Sequence, residues 1–182
     1  MNLSIIPTNI EDLIVINPKN YFDHRGCYLE TYSYYKYQKV CNFVQNEYFV
    51  QDSVSISDMG VLRGLHFQKN NPQAKLVSVL KGKVYDVAVD LRENSKTYGK
   101  YYGIYLDGIS KRQMFIPKGF AHGFLSLEKD TIFSYKSSDF YDPTDESGLA
   151  WNDPDLDIKW PVKYVQEVIL SEKDKNWGGF KQ

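Results

Sequence analysis

The sequence predicts an all-β fold, a sandwich or barrel of short strands. Two observations carry this prediction: short apolar-rich runs follow one another through the middle of the chain, and turn residues separate them. Tyrosine dominates an aromatic content of 15%, and its half-polar ring suits half-buried sheets. With 182 residues the chain is long enough to bury a real core, and we expect a single domain over residues 1–182.

The predicted elements begin with a short helix near Tyr34–Val40. The run KLVSVLKGKVYDVAVDL then predicts two strands joined at Lys81 and Gly82 in a hairpin. Alternation in the second strand puts Tyr85, Val87, Val89 and Leu91 on one face and Val84, Asp86, Ala88 and Asp90 on the other. Further strands are predicted at Tyr101–Leu106, Gln113–Ile116, Gly123–Leu127 and Thr131–Ser137. The segment YDPTDESGLAWNDPDLDIKWP is rich in turn residues and predicts an ordered loop region with one short strand.

Charge and cysteine content narrow the class of partner. A net charge of -1 lacks the basic footprint of a nucleic-acid-binding protein, although local arginines and lysines still suit a small anion. The segment MNLSIIPTNIEDL does not resemble a signal peptide, and no stretch reaches transmembrane length. We therefore expect a cytoplasmic protein with reduced cysteines, although the sequence leaves a Cys27–Cys41 bridge open.

One histidine interrupts the apolar pattern of a predicted strand. In RGLHFQKNNPQAKL, His66 stands between Leu65 and Phe67, where a plain strand would carry another apolar residue. It is either a half-buried histidine hydrogen-bonded within a sheet or a general base, a role that histidine fills near neutral pH. Polar neighbours favour the second interpretation: Arg63, Gln68, Gln73 and Lys75.

A second histidine lies in half of a metal-binding pattern. His122 ends the Pro-x-Gly-x-x-His of IPKGFAHGF, which is typical of cupin-type double-stranded β-helices, or jelly rolls. The other half, a His-x-His pair with a downstream glutamate, is missing, and two histidines alone are too few ligands for a metal. The sequence thus predicts a cupin-type jelly roll with short peripheral helices and no metal. His122 alternatively stabilises a turn at a strand end.

Other polar side chains each have a structural and a functional interpretation. Asp174 lies in SEKD, which fits a helix capping box led by Ser171, and spacing alone favours that role. Tyr135 and Tyr141 flank KSSDF and are either core and surface aromatics or parts of a pocket. Asp86 either orients a histidine or pairs with a lysine.

Several motifs taken together resemble one known family. They are DHRGCYLETY, the long run from VLRGLHFQ to KTYGKY, FIPKGFAHGFLSL, YKSSDFYDP, WNDPDLDIKWP and LSEKD. In this order, and over most of the chain, they resemble the nucleotide-linked 4-keto-6-deoxysugar 3,5-epimerases. The resemblance implies a metal-free and cofactor-free jelly roll that works as a homodimer with an N-terminal segment exchanged between subunits.

The resemblance also implies a role for each matching residue. His66 matches the catalytic base, and Asp174 matches the carboxylate that pairs with it, which replaces the capping interpretation. Tyr135 matches the proton donor on the opposite face of the sugar, and Lys75 matches a lysine near the ketone oxygen. The remaining matches are substrate-binding positions: Gln51, Arg63, His122 and Tyr141, with Arg25 and Glu30 reaching the nucleotide from the partner subunit.

The implied activity is inversion of C3, C5 or both in a nucleotide-diphosphate-linked 4-keto sugar, for the sugars of capsule or lipopolysaccharide. Ser53 stands where the family commonly has Asn, and Tyr28 where it commonly has Phe, both near the nucleotide. The sequence therefore leaves dTDP and GDP, and hexose and heptose, as alternatives. Two other classes compete: a metal-dependent cupin oxygenase or isomerase, and a non-catalytic sugar-binding cupin. The joint presence of His66, Lys75 and Tyr135 argues against the second, since binding alone needs no acid and base.

Overall fold

The computed structural model describes residues 3–40 and 48–181, and the chain there folds almost wholly into β-strands. One helix, α1, and two 3-10 turns at Val162–Tyr164 and Asp174–Asn176 accompany the strands. The element bounds are β1 Leu3–Pro7, β2 Ile14–Pro18, β3 Asn20–Asp23, β4 Gly26–Leu29, α1 Tyr34–Val40, β5 Gln51–Ser57, β6 Leu62–Gln68, β7 Lys75–Lys81, β8 Lys83–Asp90, β9 Tyr101–Asp107, β10 Gln113–Ile116, β11 Phe120–Ser126, β12 Thr131–Ser137 and β13 Glu146–Gly148.

Two antiparallel sheets form the barrel. The larger sheet has six strands in the order β1-β2-β10-β7-β12-β5, and the smaller has five in the order β13-β6-β11-β8-β9. Strands β3 and β4 form a separate hairpin. Two antiparallel sheets whose strands alternate along the chain in this way are the arrangement of a jelly roll, which confirms the predicted fold class.

Most predicted elements are found where the sequence placed them. The helix at Tyr34–Val40 and the strands at Gln113–Ile116 and Thr131–Ser137 have the predicted bounds, and β9 extends one residue beyond its prediction. Strand β11 begins earlier than predicted, at Phe120, and ends at Ser126. The short strand expected in the turn-rich segment is β13.

The predicted hairpin at Lys81 and Gly82 is wrong in its pairing. Strand β7 pairs with β10 and β12, whereas β8 pairs with β9 and β11 in the other sheet. The turn therefore carries the chain from one sheet to the other. Gly82 has a φ of 82°, and a Cβ there would lie 2.4 Å from Thr131 Oγ1, so a side chain would be both strained and crowded.

Strand β8 divides two cores, as its alternation predicted. Its inner side chains, Val84 and Ala88, belong to the cluster between the sheets, with Val77 and Phe133 among their companions. Its outer side chains face a second cluster, in which the segment after β13 covers the five-stranded sheet. The residues of that outer cluster include Val87, Val89, Leu149, Leu156 and Trp160, with Tyr85 and Leu91 packed against it.

Helix α1 and the β3–β4 hairpin lie on the side of the larger sheet. The helix packs Tyr37 against that sheet, where its hydroxyl donates to Gln113 Oε1 at 2.6 Å. In the hairpin, Cys27 is exposed, while Cys41 lies outside the described residues, so the redox state of the pair stays a prediction. None of the helices in the described ranges is long and apolar enough to span a membrane.

Candidate active site

A cavity of about 460 Å³ opens between the two sheets. One wall comes from β5, β7 and β12 of the six-stranded sheet, and the facing wall from β6 and β11 of the five-stranded sheet. Alternation explains this lining, because the inward side chains of β5 are polar while Val54 and Ile56 point outward and are exposed. Most of the lining side chains are polar: Gln51, Ser53, Ser55, Arg63, His66, Gln73, Lys75, His122, Tyr135, Ser137, Tyr141, Glu146, Ser171, Lys173 and Asp174.

His66 and Asp174 form a tight pair in this cavity. His66 lies on β6, and its Nε2 is 2.5 Å from Oδ1 of Asp174, which is 4% exposed. Because a carboxylate accepts hydrogen bonds, we assign the proton to Nε2, which leaves Nδ1 with a lone pair. The side chain of His66 keeps 28% of its surface exposed. The structure therefore brings together two residues that the sequence separates by 108 positions.

A short turn holds Asp174 in place. The backbone N–H of Asp174 donates to Ser171 Oγ at 3.1 Å, and that hydroxyl donates to Asp174 Oδ2 at 2.8 Å. The Ser171–Asp174 hydrogen bonds suggested by SEKD thus exist alongside the contact with His66, although the residue that caps the 3-10 turn Asp174–Asn176 is Lys173. Burial acts to raise the pKa of Asp174, but hydrogen bonding and charge from His66, aided by the Ser171 hydroxyl, bring it below its usual value.

A second histidine–aspartate pair lies next to the first. His122 is the cross-strand partner of His66, and its Nε2 is 2.8 Å from Oδ1 of Asp86 on β8. Asp86 is fully buried, and the ring of His122 stacks on Phe133 with 5.9 Å between ring centroids. Of the two interpretations of Asp86, the structure thus favours contact with a histidine. Among the described residues, no group of three or more His, Cys, Asp or Glu side chains is placed to hold a metal ion.

Tyr135 and Lys75 belong to the wall opposite His66. They lie on neighbouring strands of the six-stranded sheet, where Tyr135 pairs with Val77 and Ser137 pairs with Lys75. Both side chains line the cavity. Burial lowers the pKa of Lys75, and the negative charges of Glu146 and Asp86 partly oppose that shift.

Glu146 and Lys173 are cavity residues that the sequence reasoning did not find. Glu146 Oε1 is 3.9 Å from His66 Nδ1, and Oε2 accepts a hydrogen bond from the Tyr141 hydroxyl at 3.1 Å. Lys173 forms an ion pair with the same carboxylate. Glu146 opens the three-residue strand β13, which is too short to show a period of its own. Its one signal was the predicted short strand that carries it.

The structure gathers eight of the ten predicted site residues and leaves two outside. Arg25 and Glu30 flank an open groove at the β3–β4 hairpin, apart from the cavity. Arg25 pairs with Asp23 and has 79% of its side chain exposed, and Glu30 pairs with Lys36 at 2.8 Å. The eight residues that line the cavity are Gln51, Arg63, His66, Lys75, His122, Tyr135, Tyr141 and Asp174.

The two facing walls of the cavity suit one kind of chemistry. A histidine with a carboxylate partner can take a proton from one side of a bound molecule, and a tyrosine on the opposite wall can return a proton to the other side. Removing and returning a proton on opposite faces inverts a carbon centre. The fold and the cavity thus define a cupin-type epimerase, a class of isomerase.

Comparison with known proteins agrees with this class. The family model described as dTDP-4-dehydrorhamnose 3,5-epimerase matches residues 7–182. The chain is 48% identical, over 94% of its own length and 91% of the relative's, to the dTDP-4-dehydrorhamnose 3,5-epimerase of Methanothermobacter thermautotrophicus. It is 38% identical, over 93% and 80% of the two lengths, to a dTDP-4-dehydrorhamnose 3-epimerase of Streptomyces niveus.

The solved structures give the same result. A dTDP-6-deoxy-D-glucose-3,5-epimerase from Legionella pneumophila, in complex with dTDP-4-keto-L-rhamnose, superimposes with a TM-score of 0.93. Its sequence is 44% identical, and the match covers 98% of this chain and 93% of that one. This chain belongs to the dTDP-4-dehydrorhamnose 3,5-epimerase family, and the metal-dependent and non-catalytic alternatives are not favoured.

Proposed function

We propose that the chain binds a dTDP-linked 4-keto-6-deoxy sugar in the cavity and inverts its C3 and C5 centres. The pairing of His66 with Asp174 at 2.5 Å, on the wall opposite Tyr135, carries this proposal. The names of the relatives and the sugar nucleotide bound by the Legionella pneumophila enzyme support dTDP over GDP and a hexose over a heptose.

His66 acts as the base in this proposal. The C4 ketone acidifies the hydrogens on C3 and C5, and Nδ1 of His66 takes one of them because Nε2 is engaged by Asp174. The carboxylate fixes the tautomer and stabilises the imidazolium that forms. A positioned base of this kind contributes about 10²–10⁴ in rate.

Lys75 receives the charge that the base creates. The C–H electron pair moves into a C=C bond, and the carbonyl electrons move onto the C4 oxygen to give an enolate. Lys75 is half-buried in the cavity wall, where an ammonium interacts more strongly with such an oxygen than it would in open solvent. Lys75 thus stabilises the enolate more than the neutral ketone.

Tyr135 completes the inversion. Its hydroxyl donates a proton to the carbon on the face opposite His66, while the enolate collapses to the ketone. The phenolate recovers its proton from solvent and the imidazolium loses its proton to solvent, so the enzyme returns to its starting state. Two such cycles, one at each carbon, invert C3 and C5.

The remaining predicted residues hold the rest of the substrate. Arg63 supplies the guanidinium for the diphosphate, and its Nε already donates to Ser57 Oγ at 3.2 Å at the cavity wall. Gln51 Oε1 accepts the backbone N–H of Tyr141 at 3.0 Å, so these two lining residues are placed together. His122 lies beside the base and contacts the sugar.

The chain acts as a homodimer, with one domain over residues 1–182 and exchanged N-terminal segments. The supporting observation is the β3–β4 hairpin, which leaves large aromatic side chains in solvent: Phe22 is 75% and Tyr28 69% exposed. Covered by a second subunit, this hairpin would bring Arg25 and Glu30 to the partner's nucleotide. The expected setting is the cytoplasm, in the synthesis of sugars for surface polysaccharides.

Hydrogen exchange in D₂O tests the proposed function. The wild-type protein, given dTDP-4-keto-6-deoxyglucose, should introduce deuterium at C3 and C5 and invert both centres. Tyr135→Phe should still exchange hydrogen on the His66 face, because the enolate still forms, but should fail to invert. Proton NMR and mass spectrometry of the recovered sugar distinguish exchange from inversion.

Three outcomes of this experiment are informative. Exchange at C3 alone would make the chain a 3-epimerase, as the Streptomyces niveus relative is named. Normal inversion by Tyr135→Phe would assign the donor elsewhere, with Tyr141 the next residue to test. Exchange with the GDP-linked sugar, together with no exchange with the dTDP-linked sugar, would overturn the choice of nucleotide.

A further inference from the structure

The carboxylate oxygen that faces His66 has a second hydrogen-bond donor. Oδ1 of Asp174 accepts from His66 Nε2 at 2.5 Å and also from the indole Nε1 of Trp177 at 3.3 Å. The Ser171 hydroxyl donates to the other oxygen, Oδ2. Rotation of the carboxylate about its own axis would therefore break bonds on both sides. Apart from His66 itself, the indole is the donor that holds Oδ1, whereas Ser171 holds Oδ2.

The indole of Trp177 is seated on a glycine that lies opposite the base. Gly148 on β13 is the cross-strand partner of His66 on β6. A Cβ on Gly148 would come within 2.5 Å to 2.6 Å of ring atoms Cε2, Cδ2 and Nε1 of Trp177. Any side chain at this position would displace the indole, including the nitrogen that reaches Asp174. The missing side chain thus makes room for the donor.

Further contacts hold the Trp177 segment against the sheet. The carbonyl of Gly178 accepts the backbone N–H of Ala150 at 2.8 Å, just after β13. The N–H of Phe180 donates to Asp153 Oδ2 at 2.8 Å. The ring of Trp177 also meets His66 edge-on, with 6.1 Å between centroids. The indole is thus held by its packing on Gly148, by the hydrogen bonds of the residues that follow it, and by its contact with His66.

We propose that Trp177, seated on Gly148, is a positioning residue that fixes the catalytic carboxylate of Asp174 against His66. The role of the pair in catalysis rests on the proposed function, whereas the hydrogen bond itself does not. Trp177 touches neither the reacting carbons nor the ketone in this scheme and acts through Asp174.

The charges around the pair bear on how the proposal is tested. Glu146 faces His66 from β13, Lys173 lies over the Trp177 ring at 5.7 Å, and Lys75 faces the cavity from the other sheet. Burial acts to raise the pKa of Asp174, and the indole hydrogen bond is one of the contacts that lower it, after those of His66 and Ser171. A single uncharged donor can be removed without changing any of these charges.

An NMR experiment on the whole protein tests the hydrogen bond without substrate. In ¹⁵N-labelled protein the three tryptophans give three indole N–H signals, and Trp177→Phe assigns one of them. Asp174→Asn should move the Trp177 proton signal upfield, since a neutral amide is a weaker acceptor than a carboxylate. Gly148→Ala should move the same signal. An unchanged signal, or a downfield shift in Asp174→Asn, would overturn the proposal.

Kinetics then tests positioning. Trp177→Phe keeps a ring on Gly148 but lacks the donor, and we expect kcat to fall about tenfold with KM within about twofold. Trp160→Phe is the matched control, because it removes an indole hydrogen bond of 2.7 Å to the Trp151 carbonyl, away from the cavity. Its kcat should equal that of the wild type, and thermal denaturation should show that both variants are folded.

The outcomes separate this proposal from the proposed function. A wild-type kcat in Trp177→Phe, or an equal loss in both variants, would reject positioning while leaving the epimerase activity intact. Failure of the wild-type protein to turn over any 4-keto sugar nucleotide would reject the function, and the NMR signal would still report whether Trp177 binds Asp174.

Discussion

Two histidine–aspartate pairs lie side by side in the cavity, and they differ in what surrounds them. His66 and His122 are partners across β6 and β11, and each directs Nε2 to an aspartate oxygen. The side chain of His66 is 28% exposed, whereas that of His122 is 10% exposed. His66 meets a carboxylate from a distant turn, while His122 meets Asp86 from the adjacent strand of its own sheet.

This difference indicates separate roles for two similar pairs. Nδ1 of His66 faces the cavity near Glu146, so the ring can exchange a proton with a bound molecule. His122 is stacked on Phe133 and its aspartate is fully buried, so the second pair belongs to the wall. A hydrogen bond to a carboxylate is therefore insufficient to identify a base. The exposure of the side chain and the stacking of His122 on Phe133 separate the two.

The largest contrast is expected when each histidine is replaced by asparagine. His66→Asn should lower kcat by about 10²–10⁴ and abolish deuterium exchange at both carbons, because the proposed base is gone. His122→Asn should retain exchange and act mainly by raising KM. Steady-state kinetics and exchange in D₂O measure both effects. Equal losses of kcat would show that the two pairs act as one unit.

Removing the carboxylates should separate activity from stability. Asp174→Ala should lower kcat by about 10²-fold, since His66 loses the group that fixes its tautomer. Asp174 lies on a turn beside the cavity, so the barrel itself should persist. Kinetics together with circular dichroism would check this variant. Retention of the wild-type kcat would contradict the assignment of Asp174 as the partner of the base.

Asp86→Ala should have its main effect on folding. It leaves His122 without its buried partner, and we expect the free energy of unfolding to fall by about 3 kcal/mol. Urea denaturation followed by fluorescence measures the loss. A stable Asp86→Ala variant without measurable turnover would place the second pair in catalysis and contradict separate roles for the two pairs.

The stabilising contribution of Asp174 should depend on pH. Its pKa lies below the usual value in the folded protein, so the ionised group stabilises the fold above the unfolded pKa of about 3.9. That contribution is lost as the pH falls through the folded pKa. The gap in unfolding free energy between wild type and Asp174→Asn should thus stay constant above about pH 5 and narrow as the pH falls through about 3.9 and below. A gap that widens on acidification would contradict the lowered pKa of Asp174.

The smallest effect is expected from metal removal. Nε2 of each histidine is engaged by its own aspartate, and the proposed steps use side chains alone. Prolonged treatment with a chelator should therefore leave kcat unchanged in a continuous assay. Loss of activity that one divalent metal restores would return the metal-dependent cupin as the better description.

Local patterns in the sequence were enough to predict most strands and to mark both histidines. The alternation of β8 separated its two faces correctly, because each face packs against a different cluster. Alternation within a strand does not show which sheet the strand joins. For this reason the turn at Gly82 suggested a hairpin between β7 and β8 that does not form. A turn residue specifies backbone conformation, and the pairing of β7 and β8 depends on strands far along the chain.

The site residues likewise divide into those that local sequence patterns predict and those that only contacts across the fold reveal. Asp174 was visible only as a capping residue until the family resemblance assigned it to His66, because 108 residues separate them. Glu146 and Trp177 carried no motif and become visible only once β13 is paired with β6. Residues that act through contacts across the fold have no local period to reveal them.

The separation of His66 from Asp174 has a consequence for the order of folding events. Their contact requires β6 to pair with β11 and β13 and the 171–176 turn to dock, all of which join distant parts of the chain. Closing such large loops costs entropy before any contact compensates, so antiparallel barrels of this kind fold in milliseconds to seconds. During refolding, recovery of the His66–Asp174 bond should therefore lag behind collapse of the strands. The chain thus becomes compact before the His66–Asp174 pair of its candidate active site is assembled.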